Sequence, residues 1–121
     1  MKRFLLIALA LAVICPLSLS AHHGWGGNAT EETTLTGTVE TPVSLAGPHA
    51  TMRIRAEGQV WDITLAPSAR TAGAGLKEGV IPVGATVTVH GHRNKSTGRY
   101  EMKTERVVWN NKTFAVYPDR H

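Results

Sequence analysis

Residues 50–66, "ATMRIRAEGQVWDITLA", decide the fold. Apolar and polar side chains alternate through Met52, Arg53, Ile54 and Arg55, the period of two that puts successive side chains on opposite faces of a strand. Met52 and Ile54 are therefore expected to face inward, with Arg53 and Arg55 outward. Glu57-Gly58 supplies the short turn that joins two antiparallel strands. In the following strand Trp61, Ile63 and Leu65 fall on a single face. This hairpin is the clearest element of the chain.

The same alternation extends on both sides. Before the hairpin, "TLTGTVETPV" sets Leu35, Gly37 and Val39 against threonines. After it, "PSARTAGAGLKEG" breaks the pattern. Pro67 and Ser68 can start a short helical turn there, and its glycines stop a long one. "IPVGATVTVHGHR" returns to strand, with Val87 and Val89 opposite Thr88, His90 and His92. "NKSTG" reads as a loop, "RYEMKTERVVW" as a further strand and "KTFAVY" as an edge strand before Pro118.

Five to six short strands around one short helical segment predict an all-β chain folded as a small OB-like barrel. That segment falls between the third and fourth strands, where the OB-fold carries its helix. An open sandwich is the competing architecture. The expected divisions are a signal peptide over 1–21, a flexible His/Gly arm over 22–32, one β-barrel domain over 33–117 and a tail over 118–121.

The signal reading rests on Lys2 and Arg3, the apolar run "FLLIALALAVICPL", and small residues at Ser18, Ser20 and Ala21. The run is shorter than the roughly 20 residues a membrane-crossing helix needs, so no retained membrane anchor is expected. Cys15 lies inside the run after Ile14, not after the small residue of a lipoprotein signal. A chain cut after Ala21 has no cysteine, which excludes disulfides and thiolate metal sites. It also loses Lys2 and Arg3. Its charge is then 11 basic minus 9 acidic residues, or +2, against +4 for the whole sequence. That modest charge gives little pull toward nucleic acid. The strands also lack the aromatic side chains on which bases stack.

Histidines are the chemical feature. His22 and His23 open the chain expected after export, His49 begins a strand behind Pro48, and His90 and His92 leave the same face of one strand. A terminal histidine offers its α-amine, with a pKa of about 8, together with ring Nδ1 as a chelate. One further neutral imidazole makes a three-nitrogen site of the kind Cu(II) prefers. His49 is the expected third ligand, with His23 or His90 as further donors. A cut after Ser20 leaves Ala21-His22-His23 instead, whose third-position histidine can wrap Cu(II) or Ni(II) in a square plane. Copper is the expected metal, with zinc or nickel as alternatives, and the candidate metal residues are His22, His23, His49, His90 and His92. His121 ends the chain and carries no assigned role.

Other chemistry is thin. Ser44, Ser68 and Ser96 lack a nucleophile setting, and "GAGLKEG" lacks the Gly-Lys-Ser/Thr ending of a phosphate loop. No catalytic residue is assigned.

At "AHHGW", "LTGTV", "PHA" and "VGATVTVHGHR" the chain resembles a family of small exported bacterial proteins of unknown function. Its members look like a signal peptide, an Ala-His-His start with a nearby aromatic residue, "LTGTV", an "NPHA" strand start and a late glycine-bearing strand. The resemblance marks Ala21, His22, His23, Trp25, Gly37, Pro48, His49, Gly84 and Gly91. Gly47 stands where the family has asparagine, and Ala85 where it has aspartate. The resemblance implies a cut before His22, an envelope location and a small β-barrel. It supplies no activity.

Two functions compete on these grounds. One is a periplasmic or secreted metal-binding protein for storage, delivery or detoxification. The other is a metal-free module that holds a peptide, a glycan or an envelope protein, with Arg53, Arg55, Arg93 and Arg99 as charged contacts. An oxidative copper enzyme ranks below both.

Overall fold

The computed structural model describes residues 25–120. His22, His23, His121 and the segment read as a signal peptide lie outside the described residues. The elements run β1 (Thr33–Ser44), β2 (His49–Ala56), β3 (Gln59–Pro67), α1 (Ser68–Gly73), β4 (Thr86–Arg93), β5 (Glu101–Trp109) and β6 (Lys112–Ala115). The strand order is β3-β2-β1-β4-β5-β6, and a parallel β3–β5 pairing closes the first five strands into a barrel. Closure runs from Asp62 beside Glu101 to Thr64 beside Lys103. This is the expected OB-like barrel, with its helix between β3 and β4.

The hairpin forms as its sequence dictates. Met52, Ile54, Trp61, Ile63 and Leu65 are all buried, whereas Arg53, Arg55 and Asp62 face solvent. Glu57 and Gly58 both take positive φ, 54° and 78°, the geometry that lets a two-residue turn follow the twist of its strands. With Val39, Val87, Val89, Met102 and Val107, these side chains fill the interior. Each large one contributes about 1.5–3 kcal/mol on burial.

Closing so small a barrel brings backbones very near one another. β1 pairs with β4 over residues 33–38 and with β2 from Thr38 onward, so it bends across the barrel at this handover. A Cβ on Gly37 would lie only 2.3 Å from the Arg55 carbonyl oxygen. Across the barrel, a Cβ on Gly91 would meet the Lys103 carbonyl oxygen at the same 2.3 Å. Only glycine allows either approach.

The structure departs from the sequence reading at several element ends. β4 begins at Thr86, because Pro82 and a positive-φ Gly84 (91°) form a turn that leaves Val83 exposed. Residues 25–32, read as part of a mobile arm, are fastened to the barrel. Ala29 N donates to Arg93 O at 2.8 Å, Lys95 N donates to Gly27 O at 3.0 Å, and Asn28 bridges Asn94. The tail also packs, since the Arg120 guanidinium sits 4.0 Å from the centroid of the Trp25 ring. Among the described residues no helix is long and apolar enough to cross a membrane.

Candidate functional site

β5 carries the irregularity that shapes the site. Met102 and Val107 are both buried, yet they stand five residues apart. A regular strand would send them to opposite faces. The pairing with β4 accommodates this by a bulge: His90 faces Arg106 and Gly91 faces Thr104, so Glu105 has no partner of its own. Glu105 is driven into the protein and is 1% exposed. That odd spacing was the signal in the sequence, and strand alternation alone passes over it.

A carboxylate buried this deeply needs partners. Its Oε2 lies 2.5 Å from Nε2 of His92, and Oε1 accepts from the Arg106 guanidinium at 3.4 Å. Its main-chain carbonyl accepts from the N–H groups of Val116 and Tyr117. His92, expected on an open strand face, is 7% exposed. Residues 25–29 cover it, because Nδ1 of His92 bonds the Ala29 carbonyl at 2.9 Å and Asn28 Nδ2 donates to the His92 carbonyl at 2.8 Å. A carbonyl only accepts, so Nδ1 carries a hydrogen. Nε2 and the Glu105 carboxylate then share one further proton. Both ring nitrogens of His92 are engaged, and neither is open to a metal.

Trp25 completes the cover. Its ring stands edge-on to His92 at 5.7 Å and to Tyr117 at 5.2 Å, with Lys103 Nζ 5.5 Å away over the indole. Burial pushes the Tyr117 hydroxyl above the ordinary tyrosine pKa, against the opposing pull of Arg70 and Arg120. Burial likewise holds Lys103 below the ordinary lysine pKa.

The other candidate histidines separate. His90 lies 3.2 Å from the Thr34 hydroxyl and 3.4 Å from the Glu32 carboxylate, which also takes Arg106 at 3.1 Å. His49 opens β2, where Ser68 fastens the preceding turn: its hydroxyl donates to Gly47 O at 2.6 Å and its N–H to Pro48 O at 3.2 Å. Main-chain atoms thus hold the approach to His49, and glycine serves at position 47. Burial first, and the Lys103 charge second, keep the His49 imidazole below its usual pKa, so the ring is neutral at neutral pH. Among the described residues, no three histidine, cysteine or acidic side chains converge as a metal-binding group.

The arginine stripe is internally matched. Arg53 pairs with Asp62 at 2.8 Å, Arg55 with Glu40 at 2.8 Å and Arg99 with Glu101 at 3.0 Å. Arg93 lies 4.9 Å from the Trp61 ring centroid and donates to Thr97 O. These side chains do not form a free cationic face.

No family model matches the chain, and no curated protein matches it. The similar solved structures include two of TiaS, the tRNAIle2 agmatidine synthetase. The ZRD-deleted mutant in complex with agmatine aligns at 13% identity with a TM-score of 0.54, covering 75% of this chain and 28% of that one. The apo form aligns at 17% identity with a TM-score of 0.49, covering 64% and 17%. The chain thus spans less than a third of either. The likeness is one of fold.

Proposed function

We propose that this is an exported metal-binding protein, copper foremost, whose amino-terminal histidine grips the ion together with His49. The docking of Trp25 carries this reading. Its ring rests beside Lys103, and Lys103 belongs to the lane of β5, β3 and β2 residues that leads to His49 through Thr64 and Thr51. His22 is three residues ahead of Trp25. Three residues span at most about 10 Å, which bounds how far from Trp25 the α-amine can reach for a partner. His49 brings a ring that is neutral at neutral pH, the form that binds metal.

His23 remains a further donor. His92 leaves the ligand set, since Ala29 and Glu105 occupy both its ring nitrogens, whereas His90 meets Thr34 and Glu32 through Nδ1 and keeps Nε2 as a further donor. Lys103 and Arg120 oppose a dication here, and solvent screening weakens that opposition without removing it. A periplasmic or secreted location accompanies the proposal, because the α-amine of His22 exists only after cleavage.

The test is a Cu(II) titration, followed by electron paramagnetic resonance, of a chain starting at His22 against one carrying an added glycine ahead of it. The proposal expects one tightly held ion with a nitrogen-rich signal in the first chain. It also expects at least a tenfold weaker site, about 1.4 kcal/mol, in the second. Equal affinity would remove the terminal chelate.

A further inference from the structure

We propose that the pocket between Trp25 and Arg120 binds a phosphate group, either free or as a phosphomonoester on a headgroup. The distribution of charge points there. Arg53, Arg55, Arg99 and Arg106 each meet a carboxylate within 3.4 Å. Around the Trp25–Tyr117 pair the pattern reverses. Arg70 lies 5.5 Å from the Tyr117 ring centroid and Lys103 5.5 Å from that of Trp25, and among the described residues neither cation forms an ion pair. Lys95 stands on the same rim, also without a carboxylate partner among the described residues. Among the described residues Arg120 reaches one carboxylate, that of Glu105 at 4.0 Å, which His92 and Arg106 already hold.

The pocket itself measures about 320 Å³ and is lined by Trp25, Gly26, Asn28 and Thr30 with Lys95 and Arg120. Among the described residues no carboxylate lines it. Asp119 and Glu105 line the adjoining hollow on the far side of Arg120, and Asp119 is the group that most opposes an anion. The guanidinium fork of Arg120 matches two oxygens of a phosphate, while Lys95 acts as a point charge. The Thr30 hydroxyl adds a neutral donor. A halide such as chloride lacks the paired oxygens that would use both cations at once. The volume accommodates a phosphate with a substituent of sugar size and falls at the lower end of ordinary ligand pockets. This pocket shares Trp25 and Arg120 with the surroundings of the proposed metal site but uses no histidine, so it stands whether or not copper binds.

The test follows the Trp25 indole N–H resonance, assigned through Trp25→Phe, while the folded chain is titrated with inorganic phosphate at constant ionic strength. The inference expects a saturable shift confined to Trp25 and its neighbours. Lys95→Gln and Arg120→Gln should each weaken binding about tenfold, with Arg120→Lys recovering part of the loss and Arg53→Gln changing nothing. Should Arg120→Gln loosen Trp25, the exposed Lys95 variant carries the test alone. A second arm uses phosphatidylcholine vesicles with and without phosphatidic acid. Sedimentation with the acidic vesicles assigns the site to a lipid headgroup, whereas a phosphate shift without sedimentation assigns it to a soluble phosphate. A shift that chloride reproduces, or one that survives Lys95→Gln at full affinity, overturns the inference. So does the absence of both shift and sedimentation.

Discussion

Nε2 of His92 lies 2.5 Å from Oε2 of Glu105, and through this contact both ends of the described chain are tied to one bulge in β5. The His92 ring reaches forward to Ala29, while the Glu105 main chain receives Val116 and Tyr117. Removing the carboxylate with Glu105→Ala would leave a buried imidazole without its partner, while Arg106 would keep only Glu32. Its expected cost is about 3–5 kcal/mol of stability, read by urea denaturation. Glu105→Gln should cost less, about 1–2 kcal/mol, because a Gln N–H can donate to Nε2 of neutral His92. Equal losses in the two variants would show that packing, not the shared proton, holds the bulge.

The barrel's tight crossings make a second prediction. Gly37→Ala and Gly91→Ala would each press a methyl group against a carbonyl oxygen that cannot rotate away, at 2.3 Å. Each should destabilise by about 3 kcal/mol or more, above the ordinary cost of an overpacked core. Gly73→Ala is the control, since no atom lies within 4 Å of the added carbon. Thermal unfolding followed by circular dichroism checks all three.

His49 gives a pH prediction with a definite sign. Burial first, and Lys103 second, hold its pKa below the ordinary histidine value of about 6.5. A lowered folded-state pKa means that the fold favours the neutral ring. The resulting stability is present above the unfolded pKa of about 6.5 and is lost as pH falls through the folded value. Lys103→Gln should raise the His49 pKa toward 6.5, as followed by the ring-carbon proton resonance. It should also tighten Cu(II) binding by removing a nearby cation. A His49 pKa unchanged in the variant would place Lys103 too far away to act.

Much of the fold was legible because strand alternation is a local signal. Met52, Ile54, Trp61, Ile63 and Leu65 are buried as their spacing requires, and α1 starts at Ser68 behind Pro67. The site was harder to read, because its contacts span the chain. His92 and Ala29 are 63 residues apart, and nothing near His92 announces that residues 25–29 will cover it. A shared face for His90 and His92 was a sound inference from strand period. It could not show that a bulge would give one ring a buried carboxylate and leave the other beside Thr34 and Glu32. Nothing beside Trp25 in the sequence announces its packing, which rests on the distant Tyr117 and Arg120.

The most direct test of the proposed function is the Cu(II) affinity of the chain starting at His22, compared with that of its His49→Ala variant. The account predicts at least a tenfold loss, larger than any loss from His90→Ala, because His49 is the proposed third ligand and its ring is neutral at neutral pH. An unchanged affinity in the His49 variant would contradict it.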